Sequence, residues 1–257
     1  MTRWYGSLTA PEINSRLSAA TVLCLPIGSY EQHGPHLPLH TDTIIAEGFT
    51  RRLLDRHGDT YDLVGLPSVP YGLSLEHSWS PGTVSLTSSV LTGLLDALVA
   101  EYVRATPART LLIVNGHGGN RGILEAAIYE LRHTHQINIC VVHPSSLSTV
   151  RVESPLPEVH AGTRETSVML ALAPGDVHLD RIPEDYTLDM DQRDHIRRLV
   201  LDRATTWPWD SNDPRISRQG ITGGDPRAAT AELGEQIINS ALDACAAVLN
   251  HLTATDP

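Results

Sequence analysis

Two apolar runs of strand length, each ending in a turn built on Gly, constrain this chain more than any other feature. Thr21–Ile27 runs into Gly28, and Arg109–Val114 runs into Asn115-Gly116-His117-Gly118-Gly119-Asn120. Their length and β-branched content suit buried strands. After the second run, Arg121–His133 carries Ile123, Leu124, Ala127, Ile128 and Leu131 at helical spacing, and a third run, Ile137–Val142, follows it. Strand, turn, helix and strand in that order make a βαβ unit, which requires a parallel sheet and a right-handed crossover. The predicted fold is therefore α/β: a three-layer α/β/α sandwich with a mostly parallel central sheet. Any site should open at the carboxyl edge of that sheet.

The remaining elements fit this plan. Thr9-Ala10-Pro11-Glu12 has the form of a capping box, entering a helix that runs to about Ala19. Thr43–Arg56 predicts a helix ended by Gly58, Tyr61–Leu66 a weaker strand, and Ser88 or Ser89 the cap of a helix running to Arg104. A helix entered after Gly162 should stop near Pro174, Met190–Ala204 reads as an exposed amphipathic helix, and Ala228–Leu252 closes the chain. With 257 residues, no internal repeat and no linker, one domain over 1–257 is expected.

Charge narrows the function. A net charge of −11 argues against nucleic-acid binding, which needs clustered cations. All 19 basic residues are Arg, so Schiff-base and P-loop lysine chemistry are both excluded. Cys24, Cys140 and Cys245 lie in apolar surroundings without a CxxC pair and read as reduced core thiols. The first residues lack an apolar leader core, and no run approaches the ~18 apolar residues of a membrane helix. The expectation is a soluble, cytoplasmic protein.

The chemistry concentrates after the first strand, in Gly28-Ser29-Tyr30-Glu31-Gln32-His33-Gly34-Pro35-His36-Leu37-Pro38-Leu39-His40-Thr41-Asp42. Glu31 and His33 point the same way if the chain is extended, and Asp42 falls where a helix begins. Together with His117 and Glu165 they offer oxygen and imidazole donors without thiolate, a set suited to Zn²⁺, Mn²⁺ or Fe²⁺ rather than to a structural zinc knot. An Asp bridging two divalent ions about 3.5–4 Å apart would ready a shared water. His160 can carry a proton to a leaving nitrogen. Glu76, His77 and Gly118 are the expected substrate-binding positions. Plainer roles exist: Asp42 as an N-cap, His117 as a turn residue, His160 as a helix cap, and Glu76-His77 as a polar loop tip. The argument for a site is that both ligand-rich loops follow buried strands and so share one sheet edge.

These residues resemble the creatininase (creatinine amidohydrolase) family. The resemblance rests on Leu25–Pro38, Asp42, Glu76-His77 with Pro81-Gly82-Thr83, Asn115–Asn120, His160-Ala161-Gly162 with Glu165-Thr166-Ser167, and Gly224-Asp225-Pro226, in the family's order. It implies an α/β fold, a binuclear metal centre, hydrolysis of an unusual C–N amide bond and a homo-oligomer, often a hexamer. By motif position Glu31, His33, Asp42 and His117 look like metal ligands, with Asp42 the bridge, and His160 looks like the catalytic histidine. Creatinine-hydrolysing members carry a Tyr and a metal-binding Glu where this chain has Gly118 and Gly119. Glu165 is then the candidate replacement ligand, and creatinine a less apt substrate. The Gly-Gly form is similar to that of the mycofactocin-precursor peptidases and of formamide deformylases.

The leading expectation is a two-metal amidohydrolase acting on a small amide or a short peptide. The competing expectations are a formamide deformylase or creatinine amidohydrolase of the same family, a two-metal phosphoesterase, and a metal-stabilised binding or assembly protein without turnover.

Overall fold

A computed structural model describes residues 3–254. Its centre is a four-stranded parallel sheet in the order β2-β1-β3-β4, formed by β1 (Val22–Ile27), β2 (Leu63–Gly65), β3 (Thr110–Asn115) and β4 (Asn138–Val142). Registers run Val22↔Leu63, Val22↔Thr110 and Thr110↔Asn138 at the amino ends. Alternation along each strand feeds two cores. Val22, Cys24, Leu112 and Val114 face one helical layer, while Leu23, Leu25, Ile27, Leu111 and Ile113 face the other. Pro26 is tolerated in this central strand because its nitrogen faces the side where β2 has already ended opposite Cys24.

The first layer holds α2 (Thr41–Tyr61), the short α5 (Pro144–Leu147), α6 (Thr163–Leu172) and α8 (Ala231–Ala254), packing Phe49, Leu53, Met169, Ile237 and Leu249 on the sheet. The second holds α1 (Ala10–Arg16), α3 (Ser88–Ala105) and α4 (Arg121–His135), with Ile13, Leu91, Leu95 and Leu124 inward. Fully burying side chains of this size is worth about 1.5–3 kcal/mol each.

Several boundaries differ from the sequence reading, each for a local reason. Helix α2 continues through Gly58 to Tyr61 and stops only where Asp62 turns left-handed at φ 48°, which delays β2 to Leu63. The cap of α3 is Thr87, whose hydroxyl accepts from the Val90 N–H, and Ser88 and Ser89 lie inside the helix. The capping box at Thr9 forms, with its backbone N–H 2.8 Å from Glu12 Oε2, yet α1 ends at Arg16 because Leu17 becomes extended. In place of one helix over 190–204 there is α7 (Gln192–Ile196) and a single π turn, Arg197–Leu201. Residues 226–228 form a 3₁₀ turn before α8 begins at Ala231.

From β1 the chain passes through α2 to β2 on one side, then crosses through α3 to β3 on the other. The crevice between the carboxyl ends of β1 and β3 is thus the topological switch point, where open α/β sheets bind ligands.

Candidate metal centre

Four segments converge on that crevice. After β1, Glu31 N–H bonds Leu39 O at 3.1 Å, and Gly34, at φ 65°, lets the loop reverse so that His33 pairs with Leu37. After β3, Asn115 brackets the turn: its amide donates to His117 O at 2.6 Å and its carbonyl accepts from His117 N–H at 3.3 Å. Asn120 joins three loops, donating to Gly28 O at 3.1 Å and accepting from Leu73 N–H at 2.9 Å. Asp42 is the second residue of α2; the N-cap position is His40, and it makes no side-chain capping bond.

Glu165 lies in the first turn of α6, and His160 sits just ahead of that helix in an antiparallel pair with Thr222. Between them Ala161 holds φ 54°, a left-handed backbone costly for an L-residue, and its N–H donates to Glu165 Oε2 at 2.6 Å. Strain of this kind persists where surrounding structure enforces it. The tight Arg218–Ile221 turn, with Gln219 and Gly220 both at positive φ, presents Thr222 to His160.

The side chains meet. His117 Nδ1 lies 3.0 Å from Asp42 Oδ2 and 3.3 Å from Glu31 Oε2. His33 Nε2 lies 3.2 Å from Asp42 Oδ1 and 3.7 Å from Glu165 Oε2. The two oxygens of Asp42 therefore face different imidazoles, an arrangement suited to a bridging carboxylate. Glu31, His33, Asp42, His117 and His160 are all buried. Of the positions expected to bind substrate, His77 is instead buried beside the cluster, its Nε2 3.4 Å from Glu31 Oε1. Glu76 reaches over Gly119, where a Cβ would stand 2.6 Å from its Oε1. Gly118 is exposed, with open space at its Cβ position, on the wall of a cavity of about 260 Å³ shared with His117, Glu165, Arg121 and Arg164.

Donor chemistry fits divalent cations. Ligands about 2.0–2.2 Å from a tetrahedral ion stand roughly 3.3–3.6 Å from one another, close to the separations found. Both oxygens of Glu31, His33 Nε2 and Asp42 Oδ2 are buried without a hydrogen-bond partner. Leaving such groups unpaired is costly unless a cation satisfies them. The tautomers agree: His117 Nε2–H donates to Leu73 O at 2.6 Å and His33 Nδ1–H to Glu31 O at 3.1 Å, which leaves the inward nitrogens as lone pairs. His160 Nε2–H likewise donates to Gln32 O at 2.7 Å, so its Nδ1 lone pair faces Glu31 Oε1 at 3.4 Å.

Electrostatics show the same demand for positive charge. Burial opposes a proton on His33, but Asp42, Glu165 and Glu31 outweigh it and raise the imidazole to about 10. His117 rises for the same reason, burial being overcome by Glu31 and Asp42. Burial pushes Glu165 up to about 7, only partly offset by His33. Burial, then His77 and His33, hold His160 well below the usual histidine range.

His36, fully buried behind the cluster with Nε2 2.9 Å from Thr166 Oγ1, is lowered to about 4 by burial and by His33. Unfolding exposes it to its ordinary value near 6.5, so the unfolded chain binds the extra proton. Stability is thus complete above pH 6.5 and falls as the pH drops towards 4, by at most about 3 kcal/mol for this residue. Thermal unfolding of chelated protein between pH 7 and 4 should show this loss, and His36→Asn should flatten it. A variant with the wild-type slope would contradict the assignment.

Sequence reasoning missed Gln32, Asn115, Asn120 and Ser211, which orient the site's histidines or tie its loops. Amides and hydroxyls carry no spacing signature; only Asn115 and Asn120, flanking the glycine turn, were within reach of it.

Fold and site define a doubly wound parallel α/β protein with a buried carboxylate–imidazole cluster at its switch point. The creatininase family model, described as creatinine amidohydrolase, matches residues 6–249. The mycofactocin precursor peptide peptidase of Mycolicibacterium smegmatis is 35% identical over 245 residues, covering 94% of this chain and 88% of that protein. The creatinine amidohydrolase of Pseudomonas putida is 32% identical over 198 residues, covering 69% and 74%. A solved manganese creatininase superposes with TM-score 0.78 at 26% identity, covering 98% of each chain. The chain belongs to the creatininase family and is a hydrolase of it, with the mostly parallel α/β fold of the solved creatininases. No helix among the described residues is long and apolar enough to cross a membrane.

Proposed function

We propose that this protein hydrolyses the C–N amide bond of a short peptide or small amide at a centre of two divalent ions, Zn²⁺, Mn²⁺ or Fe²⁺. The observation that carries the reading is the set of buried, unpartnered ligand atoms on Glu31, His33 and Asp42, gathered with His117 at one sheet edge. Glu31, Asp42 and His117 hold one ion; His33, Asp42 and Glu165 hold the other, Glu165 serving where Gly119 supplies no carboxylate. When bound, such ions lower the pKa of water and offset charge developing on the carbonyl oxygen.

The chain's own residues do the rest. His160, neutral and anchored through Nε2–H, offers Nδ1 to take a proton from the attacking water and return it to the departing nitrogen. Asn115 and Asn120 hold the His117 turn against the loops that carry Glu31 and Leu73. The exposed Gly118 and the adjoining cavity leave room beside His117 for a substrate larger than creatinine, with Arg121 and Arg164 at hand for a carboxylate. The likeness to the peptidase supports a peptide end.

One creatininase-like domain over 1–257, a cytoplasmic setting and a homohexamer belong to the same reading, supported by the family match. Sedimentation of the purified protein checks the assembly.

The test is the metal-loaded protein against cyclic amides, formamides and short peptides, before and after chelation. Turnover of one class, lost on chelation and restored by metal with the circular dichroism unchanged, is expected. None of the ligand residues belongs to either apolar core, so the fold should survive metal loss. Global unfolding on chelation without turnover of any class would favour a metal-stabilised binding protein instead.

A further inference from the structure

Helix α6 starts without a cap of its own. Gly162 holds the N-cap position and has no side chain to offer the free N–H groups of the first turn. Glu158, upstream and half-buried, takes that role: its Oε2 accepts the Arg164 N–H at 3.0 Å. Its other oxygen, Oε1, accepts the Gly224 N–H at 2.9 Å, 66 positions away in the chain. Both donors are backbone amides and a carboxylate only accepts, so the direction of each bond is fixed. A negative charge at the start of this ten-residue helix also favours the arrangement.

The neighbouring glycines make room for this side chain. A Cβ on Gly162 would stand 2.5 Å from Oε2, and one on Gly224 would stand 2.5 Å from Oε1. Seating Glu158 thus accounts for the glycines of both His160-Ala161-Gly162 and Gly224-Asp225-Pro226. What the carboxylate holds in place reaches the cluster. Glu165, in the first turn of α6, accepts the Ala161 N–H through Oε2, the oxygen that stands 3.7 Å from His33 Nε2. Ala161 keeps its φ of 54° between three ties to segment 222–225: the His160–Thr222 backbone pair, the Thr163 hydroxyl on Asp225 O at 2.8 Å, and Glu158. Of these, Glu158 is the one that also caps the helix.

We infer that Glu158 is a positioning residue. By clamping the first turn of α6 to segment 222–225 it sets where Glu165 stands, and with it the affinity for the ion held by His33, Asp42 and Glu165. The ion on Glu31, Asp42 and His117 has no such dependence, since α6 carries none of those three. The inference rests on the two-ion reading above.

The test titrates zinc into the full chain against a competing chelator, and wild-type protein should take up two ions. Glu158→Gln keeps the size of the side chain but offers one acceptor to two N–H groups. It should weaken the second zinc about 10–100-fold, as loss of a partner behind a ligand does, and leave the first unchanged. In a Glu165→Gln background the same change should add less than about twofold, because the residue it acts through is already gone. A merely structural role gives equal weakening of both ions, or the same weakening with and without Glu165; either result overturns the proposal, as does wild-type zinc binding in Glu158→Gln. Hydrogen exchange of the wild-type protein stands even if the variants fail to fold: the Arg164 and Gly224 amides should exchange slowly, and fast exchange at either removes the clamp. In all of these outcomes the hydrolase reading survives. Wild-type protein that bound no zinc would remove both.

Discussion

Asp42→Ala should empty the centre. Elemental analysis of the purified variant is expected to find the divalent metal gone and turnover lowered at least about a thousandfold, with the circular dichroism unchanged. The size follows from the several kcal/mol of charge stabilisation that bound ions supply in hydrolysis. The loss is shared because Asp42 Oδ1 faces His33 and Oδ2 faces His117, so one side chain serves both halves. The fold should persist because Asp42 lies outside both apolar cores. Full metal occupancy in the variant would refute the bridging role, and loss of half the metal would confine Asp42 to one ion.

A second large effect is expected from a residue with no side chain. Gly116 lies where the turn after β3 presses on the first turn of α2, and a Cβ there would overlap the backbone oxygen of Asp42. Backbone on both sides of the contact cannot rotate away, so Gly116→Ala must force β3 and α2 apart. Overpacking of this kind costs about 1–3 kcal/mol or more. The same displacement separates His117 from Asp42, now 3.0 Å apart. The variant should therefore lower the unfolding midpoint and weaken metal binding together. Gly118→Ala, whose Cβ meets open space, is the control and should change neither. Wild-type metal affinity in Gly116→Ala would show that the turn and the helix are not in register as described.

The pattern of what could be read beforehand follows from the range of the forces involved. Strands β1, β3 and β4 and helix α4 were legible because burial on both faces writes continuous apolar runs and because the intervening helix writes its period. Glu31, His33 and His117 were legible as candidate ligands because they fall in the loops after β1 and β3, and Asp42 because it opens the helix that follows the first of those loops. Thr87 was passed over as a cap because Ser88 and Ser89 satisfy the same local rule, and which hydroxyl faces Val90 depends on where the loop from β2 arrives. The break in the 190–204 segment left no mark in its periodicity. His77 was expected at the substrate because nothing local says that the loop after β2 folds back under Gln32 and Ser211.

By itself the sequence determined the parallel α/β plan, the sheet edge on which chemistry would fall and the oxygen and imidazole donors available there. These follow from alternation, turn residues and composition, all of which act over a few residues. Tertiary structure alone decided which nitrogen of each histidine faces inward, that Glu165 and His160 cross from the far half of the chain to the same crevice, and that Ala161 is held left-handed between them. The tautomer of His160 and its meeting with the cluster depend on a hydrogen bond to Gln32, more than a hundred positions away, and no local spacing encodes such a partnership.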